Sequence, residues 1–303
     1  MMSANQWPAQ VTVVDVTPRD GLQDADRFVT SEQKLAFLGA LIEAGIRAIE
    51  ATSFMHPGWI PQLADADYVA THLPQHPDVL YSALIPNMRG YERARAARIK
   101  EVTLVVSASE SHNRANLNRS VEESLGQLRE VAERAQGDGI AVRGAIATSF
   151  GCPFEGEVAP ESVLRIVRAY AEMEVQQVSL ADTIGVGNPH QVYDLFQQAR
   201  QELPENVSLS AHFHDRAGYG LANVFAAIQA GVTTFDAAIG GLGGCPYAPG
   251  APGNLSTETL VEYLEAMGFA TGISLPALAA AREQLLDDLA HGELVTTGHS
   301  MRK

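Results

Sequence analysis

Eight apolar, strand-like runs alternate with amphipathic stretches along this chain of 303 residues. Between several of the runs lie segments with a helical period, namely 31–45, 120–136, 160–173 and 189–203. The apolar runs themselves cover residues 11–16, 48–54, 79–87, 101–109, 141–150, 177–182, 208–215 and 233–243. A strand followed by a crossover helix, repeated eight times over about 250 residues, predicts an α/β fold of the parallel (β/α)₈ TIM-barrel type.

The turn after the first strand separates this prediction from its main alternative, an open doubly wound sheet. Such a sheet normally uses fewer strands and has a glycine-rich phosphate turn after the first one. Here the first strand is followed by TPRDGLQD at 17–24, which is not such a turn. We predict a barrel domain over residues 1–270. Residues 271–303, with a helix-like stretch at 275–292 and no linker before it, are expected to form a C-terminal helical extension packed on the barrel.

Charge and composition limit the partners and the location of the protein. The formal net charge of −15 argues against nucleic acid and anionic membranes as partners. No apolar run approaches the roughly 20 residues that span a bilayer, and residues 1–10 lack the pattern of a secretion signal. The two cysteines, Cys152 and Cys245, are too few for a disulfide scaffold and are expected to be reduced. We therefore expect a cytoplasmic protein.

Reactive side chains are concentrated where the predicted strands end. Active sites of TIM barrels lie at the C-terminal ends of the strands and in the loops that follow. In chain order these ends read TPRDGLQ, EATSF, IPN, SASESHN, ATSFGCP, LADTIG, HFHD and GGLGGCPYAPGAPGN. Arg19 and Asp20, after the first strand, are therefore expected to belong to a site. Strand alternation would place these neighbours on opposite faces, so we expect the backbone to turn between Pro18 and Gly21.

The pattern His-x-His in the seventh strand predicts a metal site. Residues two apart in a strand point to the same face, so His212 and His214 would point inward while Phe213 points outward. With a carboxylate from Asp20, two imidazoles leave open positions for water and substrate oxygens, which suits Mg²⁺, Mn²⁺, Fe²⁺ or Zn²⁺. The alternatives are core histidines, a non-haem iron or zinc enzyme for oxygenation or hydrolysis, and a binding barrel without catalysis.

Three motifs together resemble one family. RDGLQ at 19–23, HFHD at 212–215 and the glycine-rich loop at 240–254 are similar to those of hydroxymethylglutaryl-CoA lyase, within a metal-dependent superfamily of lyases and Claisen-type enzymes. The resemblance covers most of the chain. The loop with Cys245 is its specific part, because superfamily relatives that make isopropylmalate or homocitrate have the other two motifs without this loop.

The resemblance implies a reaction and its residues. It implies a lyase that cleaves 3-hydroxy-3-methylglutaryl-CoA (HMG-CoA) to acetyl-CoA and acetoacetate with a divalent cation, Mg²⁺ or Mn²⁺, in leucine catabolism. An acyl-CoA is then the substrate, and we expect a homodimer. The nearer alternative is condensation in the synthetic direction within the same superfamily. The implied metal ligands are Asp20, His212 and His214, with Asn254 in or near the coordination shell, and the implied catalytic residues are Arg19, Asp20 and Cys245.

Charge and proton requirements of this reaction suggest individual roles. Arg19 is permanently charged and is expected to stabilise the oxygen of the departing enolate. Either Asp20 or His212 is the candidate base. Cys245 lies in a stretch of fifteen residues with six glycines and three prolines, typical of a loop that closes over a site, where a thiol can deliver or remove a proton.

Three further side chains are expected to support the site. Glu50, within the second strand, needs a cation or donor to offset its burial, and Arg19 is its expected partner. Asp182 is expected to orient a ligand or bind substrate, or alternatively to cap the end of its strand. Gln23 is expected either to contact the acyl carboxylate or to hold the turn.

The chain departs from the family pattern at positions near the site. Asp24 and Ala25 stand where the family commonly has Asn-Glu, and Ala145 stands where tyrosine is common. Without that ring, Ala145 is expected to admit a longer 3-alkyl group on the substrate. Arg216 is either an added cation at the barrel mouth or a solvated surface residue.

Overall fold

The computed structural model describes residue 8 and residues 10–216, 218–244 and 253–295. The described part contains eight parallel strands in a closed barrel, each paired with the strands before and after it in the sequence. The strands are β1 Thr12–Asp15, β2 Ala48–Ser53, β3 Leu80–Ile85, β4 Glu101–Ser107, β5 Ala141–Ala147, β6 Gln177–Asp182, β7 Ser208–Phe213 and β8 Thr234–Ala237. The predicted TIM barrel is confirmed, and each strand lies within its predicted run.

Helices cover the outside of the barrel and return the chain from one strand to the next. Those of the described residues are α1 Ser31–Glu43, α2 Ala66–Thr71, α3 Met88–Ala96, α4 Glu110–Leu117, α5 Val121–Gly137, α6 Pro160–Glu172, α7 Pro189–Glu202, α8 Gly220–Gln229, α9 Thr257–Ala266 and α10 Leu275–His291. Capping boxes begin three of them, at Thr30, Ser120 and Asn188. Each box pairs first-turn N–H groups that lack helical partners, which explains the sharp helix starts.

Strand alternation divides the barrel into an apolar exterior and a polar interior. On β5, Val142 and Ile146 pack in the main hydrophobic core with the helices. Gly144 also faces the helices, because a Cβ there would lie 2.6 Å from the ring of Tyr170 on α6. Arg143 and Ala145 therefore face the barrel axis. The strand thus carries a core face and a site face at the same time.

The last helix packs against the barrel helices. Leu278, Ala281 and Leu285 of α10 are buried in the main core. Gln33 of α1 donates a hydrogen bond of 2.7 Å to Asp288. The helix therefore shares its core with the barrel, while the division at residue 270 stays a prediction. Among the described residues, no helix is long and apolar enough to cross a membrane.

Candidate active site

A short π-helical turn explains how adjacent Arg19 and Asp20 serve one site. β1 ends at Asp15, and residues Thr17–Gly21 form the turn. The backbone N–H groups of Arg19, Asp20 and Gly21 all point at the carbonyl oxygen of Val16, with distances of 3.1, 2.7 and 3.2 Å. Such turns occur frequently at functional sites. The predicted end of the strand before Arg19 is confirmed.

Arg19 links two carboxylates at the mouth of the barrel. Its Nε donates to Glu50 and its Nη1 donates to Asp20, so the predicted contact with Glu50 is present. The Asp20 side chain also accepts a hydrogen bond of 3.2 Å from Gln23, which in this structure holds the turn. Burial opposes ionisation of Asp20, but Arg19 and the nearby imidazoles hold the pKa of its carboxyl at about 2. Asp20 is therefore an anion at neutral pH.

Two imidazoles converge on the same carboxylate. Nε2 of His212 lies 4.0 Å and Nε2 of His214 lies 3.9 Å from Oδ2 of Asp20. One ligand atom from each of these three buried side chains lies within 4.8 Å of the others. Phe213 points away into the core, where its ring lies 6.1 Å from that of Phe150. The strand periodicity therefore places both imidazoles as the sequence predicts.

The described ends of the glycine-rich loop lie against this cluster. Nδ2 of Asn254 donates to Oδ2 of Asp20 at 2.8 Å and to the carbonyl oxygen of Leu242 at 2.9 Å. Gly243 has a φ of +106°, and a Cβ there would lie 2.4 Å from Asn254 Nδ2. Only a glycine permits this approach, so Gly243 lets the loop backbone pass next to Asp20.

The donor set and the charges fit a divalent cation. Oδ1 of Asn254 is buried without a hydrogen-bond partner among the described residues, so a carbonyl oxygen beside the cluster remains for a ligand bond. Within the described part of the site, the three buried carboxylates of Asp20, Glu50 and Asp236 pair with two guanidinium groups, those of Arg19 and Arg143. Buried charges are normally paired, and a cation at the cluster would offset the excess of acid.

Two buried charged side chains next to His212, those of Arg143 and Asp236, were not predicted from the sequence. Nη2 of Arg143 on β5 donates to both oxygens of Asp236 on β8, at 2.7 and 2.9 Å. Asp236 in turn lies 3.1 Å from Nδ1 of His212. Burial opposes ionisation of Asp236, yet Arg143 and His212 hold its pKa below the ordinary value. The missed signal was a single charge at an inward position of an otherwise apolar strand, which needs a partner inside the barrel.

Asp182 and Ala145 lie near the site in different roles. The Asp182 carboxylate accepts hydrogen bonds of 3.0 and 2.8 Å from the N–H groups of Val186 and Gly187, which is the strand-capping arrangement. Burial raises the pKa of Asp182, and these hydrogen bonds oppose the rise. Ala145 is half-buried on the inner face, between Val105 and Ser179 of the adjacent strands. Their roles in substrate binding stay predictions.

The structure describes two of three further residues from the sequence analysis, Cys152 and Arg216, but not Cys245. Cys245 lies outside the described residues, as does the rest of the loop from 246 to 252. Cys152 is buried as a free thiol, and its Sγ lies 2.9 Å from Oγ of Ser109, an environment typical of a packing residue. Arg216 is exposed on the loop after β7.

The HMGL-like family model matches residues 10–285. The chain belongs to this family. Its relatives include the hydroxymethylglutaryl-CoA lyase of Bacillus subtilis, which is 44% identical over 275 residues, or 91% of this chain and 92% of the relative. The lyase of Pseudomonas mevalonii is 43% identical over 269 residues, or 89% of each chain. The predicted resemblance to the hydroxymethylglutaryl-CoA lyase family is thereby confirmed.

Solved structures of HMGL-like proteins have the same fold over nearly the whole length. The B. subtilis HMG-CoA lyase superposes with a TM-score of 0.90 at 42% identity, covering 96% of this chain and 97% of that one. An HMG-CoA lyase from Acinetobacter baumannii, in complex with coenzyme A and 3-methylmalate, gives a TM-score of 0.89 at 39% identity and covers 100% of this chain and 98% of that one. A family member of this kind therefore accommodates a CoA molecule and a small hydroxy diacid.

Proposed function

We propose that this chain is a carbon-carbon lyase that cleaves HMG-CoA to acetyl-CoA and acetoacetate. The observation that carries the proposal is the cluster of Asp20, His212 and His214 beside Arg19 at the barrel mouth. It occurs in a chain 44% identical to an HMG-CoA lyase over 91% of its length. Fold alone would not support this activity, since TIM barrels host many chemistries.

A divalent cation would be held by Asp20, His212 and His214, with the amide oxygen of Asn254 as a further ligand. When bound, it supplies Lewis acidity that lowers the pKa of a coordinated hydroxyl and polarises a carbonyl oxygen. We propose Mg²⁺ or Mn²⁺, because half of this ligand set is oxygen and the remaining positions would take oxygens of water and substrate.

The side chains of the site then account for the electron flow. A base takes the proton of the C3 hydroxyl, either Asp20 or, if its Nε2 is free of the cation, His212. The C3–O electrons form the ketone of acetoacetate while the C2–C3 bond breaks, and its electron pair moves onto the thioester as an enolate. Arg19 stabilises the enolate oxygen, an interaction that is stronger in the transition state than in the ground state. A proton delivered to C2 from the thiol of Cys245, or from the base that was protonated in the first step, completes acetyl-CoA.

Three further residues are proposed to position or bind groups of the site, namely Glu50, Gln23 and Asp182. Glu50 holds the guanidinium of Arg19 at the mouth, so that the charge does not need to reorganise during the reaction. Gln23 is proposed to exchange its contact with Asp20 for one with the acyl carboxylate. Asp182 is proposed to contribute to substrate binding through the β6 loop that it caps.

Replacement of Cys245 by serine is expected to lower kcat by about 10²-fold or more, because a positioned general acid contributes about 10² to 10⁴. Thiol oxidation should have the same effect. The measurement is steady-state cleavage of HMG-CoA together with the thermal midpoint, which should not change. Cys152→Ser, at the buried thiol, is the matched control and should stay within about twofold of wild type. Full activity of Cys245→Ser would show that the thiol of Cys245 has no catalytic role.

Ala145 is proposed to widen the acyl pocket. The ring of Tyr170 packs against Gly144 on the outer face of β5, so it does not fill the inner space beside Ala145. Substrates with longer 3-alkyl groups should therefore gain in kcat/KM, by roughly fourfold for each buried methylene at about 0.8 kcal/mol. Ala145→Tyr should reverse this preference. If wild type and Ala145→Tyr both prefer the 3-methyl substrate, Ala145 does not widen the acyl pocket.

Condensation in the synthetic direction is the second candidate function, since the superfamily contains Claisen-type enzymes. It is tested by incubating the protein with acetyl-CoA and a panel of 2-oxo acids and measuring release of free CoA. The proposed function predicts no CoA release above background and rapid cleavage of HMG-CoA under the same conditions. CoA release without cleavage of HMG-CoA would replace the lyase proposal by a condensing one.

The biological setting is part of the same proposal. The substrate is an acyl-CoA, and the chemistry suits a role in leucine catabolism. We propose a cytoplasmic location, which the composition of the chain supports, and a homodimer, which accompanies the proposed lyase function.

A further inference from the structure

We propose that Asp236 is a positioning residue for His212, and that Arg143 fixes Asp236 for this purpose. Asp236 lies beside His212 in the register between β7 and β8. The inference rests on the proposed metal site, because it assigns Asp236 the task of aiming one metal ligand. It adds two residues of the barrel interior to the machinery of the site.

The two nitrogens of the His212 ring have different neighbours. Nδ1 lies 3.1 Å from Oδ2 of Asp236, while Nε2 lies 4.0 Å from Oδ2 of Asp20. An ionised carboxylate only accepts hydrogen bonds, so the proton of the neutral ring stays on Nδ1. The lone pair of Nε2 then points at Asp20 and His214, where a cation would bind.

Arg143 makes the position of Asp236 rigid. Its Nη2 donates to both oxygens of Asp236 and lies 3.1 Å from the hydroxyls of Ser179 and Ser210. The Arg143 side chain is 2% exposed, and its Nε has no acceptor among the described residues. Its charge is therefore compensated chiefly by the direct ion pair with Asp236. Since a guanidinium does not lose its proton in proteins, this pair persists at every working pH.

An asparagine at 236 would reverse the hydrogen bond to His212. The amide oxygen would have to face the donors of Arg143, which leaves the NH₂ group facing Nδ1 of His212. An NH₂ group donates, so Nδ1 would have to accept, and the ring proton would move to Nε2. That proton would occupy the direction in which the ligand lone pair is needed.

The alternative is that Arg143 and Asp236 form only a structural ion pair inside the barrel. The double variant Arg143→Met/Asp236→Leu separates the two cases, because replacing a buried ion pair by apolar residues of similar volume is often neutral or stabilising. A structural pair would then be dispensable for metal binding. A positioning pair would not be.

The test combines two measurements on the full chain. Nitrogen-15 NMR of the metal-free protein reads the tautomer of His212, with its signals assigned by their loss in His212→Gln. Titration with Mn²⁺ alone, followed by EPR of the free ion, gives the dissociation constant. We expect Asp236→Asn to move the proton from Nδ1 to Nε2 and to raise the dissociation constant about 10- to 100-fold. The double variant should fold. Its His212 should no longer keep the proton on Nδ1, and its dissociation constant for Mn²⁺ should be as high as that of Asp236→Asn.

Asp15→Asn is the matched control. Asp15 is also a buried barrel carboxylate, but it accepts hydrogen bonds from Thr17 and Thr257, and no imidazole of the described residues is among its hydrogen-bond partners. This variant should keep the tautomer and bind Mn²⁺ within about threefold of wild type. An unchanged tautomer together with wild-type Mn²⁺ affinity in both Asp236 variants would overturn the inference. If wild type itself binds no Mn²⁺, the proposed function fails, while the tautomer still decides whether Asp236 positions His212.

Discussion

Arg19→Met is expected to lower kcat for HMG-CoA cleavage by roughly two to three powers of ten while metal binding remains. The guanidinium is held between Glu50 and Asp20, and no other described cation contacts both carboxylates. Loss of one charge or donor aimed at a developing oxyanion costs about 2.7–4 kcal/mol. Steady-state kinetics and Mn²⁺ titration on the same preparation measure the two quantities separately.

Two variants show whether the effect belongs to this position. Arg19→Lys keeps the charge but not the fork that reaches both carboxylates, so its kcat should lie between those of Arg19→Met and wild type. Arg93→Met removes a guanidinium that pairs with Asp67 on the outer helices and should stay within about twofold of wild type. An Arg19→Met enzyme within tenfold of wild type would refute the assigned role.

Loss of any of the three clustered ligands is expected to remove metal and activity together. His212→Ala, His214→Ala and Asp20→Asn should each reduce bound metal after dialysis and lower activity by at least about 10³-fold, because the cation stabilises charge in the transition state. Metal analysis and activity are measured on the same sample.

An exposed histidine provides the control for this series. His190 lies at the solvent-exposed start of α7, where its ring is 3.2 Å from Asp194, and its removal should change neither quantity. Wild-type metal content in all three ligand variants would show that the cation binds elsewhere. Activity lost with metal retained in one variant would instead assign that residue to the chemistry alone.

The fold and the metal cluster were predictable because both depend on regular strand periodicity. Alternation in β7 puts His212 and His214 on one face, and a parallel barrel brings the ends of all strands to one mouth. The position of Asp20 relative to Arg19 was harder to predict from the sequence. It depends on a π-helical turn in which three N–H groups share the carbonyl of Val16, and only the flanking proline and glycine indicate a turn.

The interior ion pair depends on contacts that local patterns do not encode. Arg143 and Asp236 are 93 residues apart in sequence and meet because the closed barrel directs inward side chains of β5 and β8 into one interior. Asn254 likewise reaches Asp20 because Gly243 permits a close backbone approach. Each residue reads as an ordinary strand or loop residue until the closed barrel brings the partners together. Inward charges in apolar strands are the one sequence signal that would have drawn attention to the pair.

The most direct test of the account is the product balance of the purified protein. After removal of metal by a chelator, HMG-CoA should remain intact. On addition of Mg²⁺ or Mn²⁺, each molecule consumed should give one acetyl-CoA and one acetoacetate, measured by chromatography and a coupled assay. Cleavage that continues without metal, or consumption of HMG-CoA that yields free CoA instead of acetyl-CoA, would contradict the account.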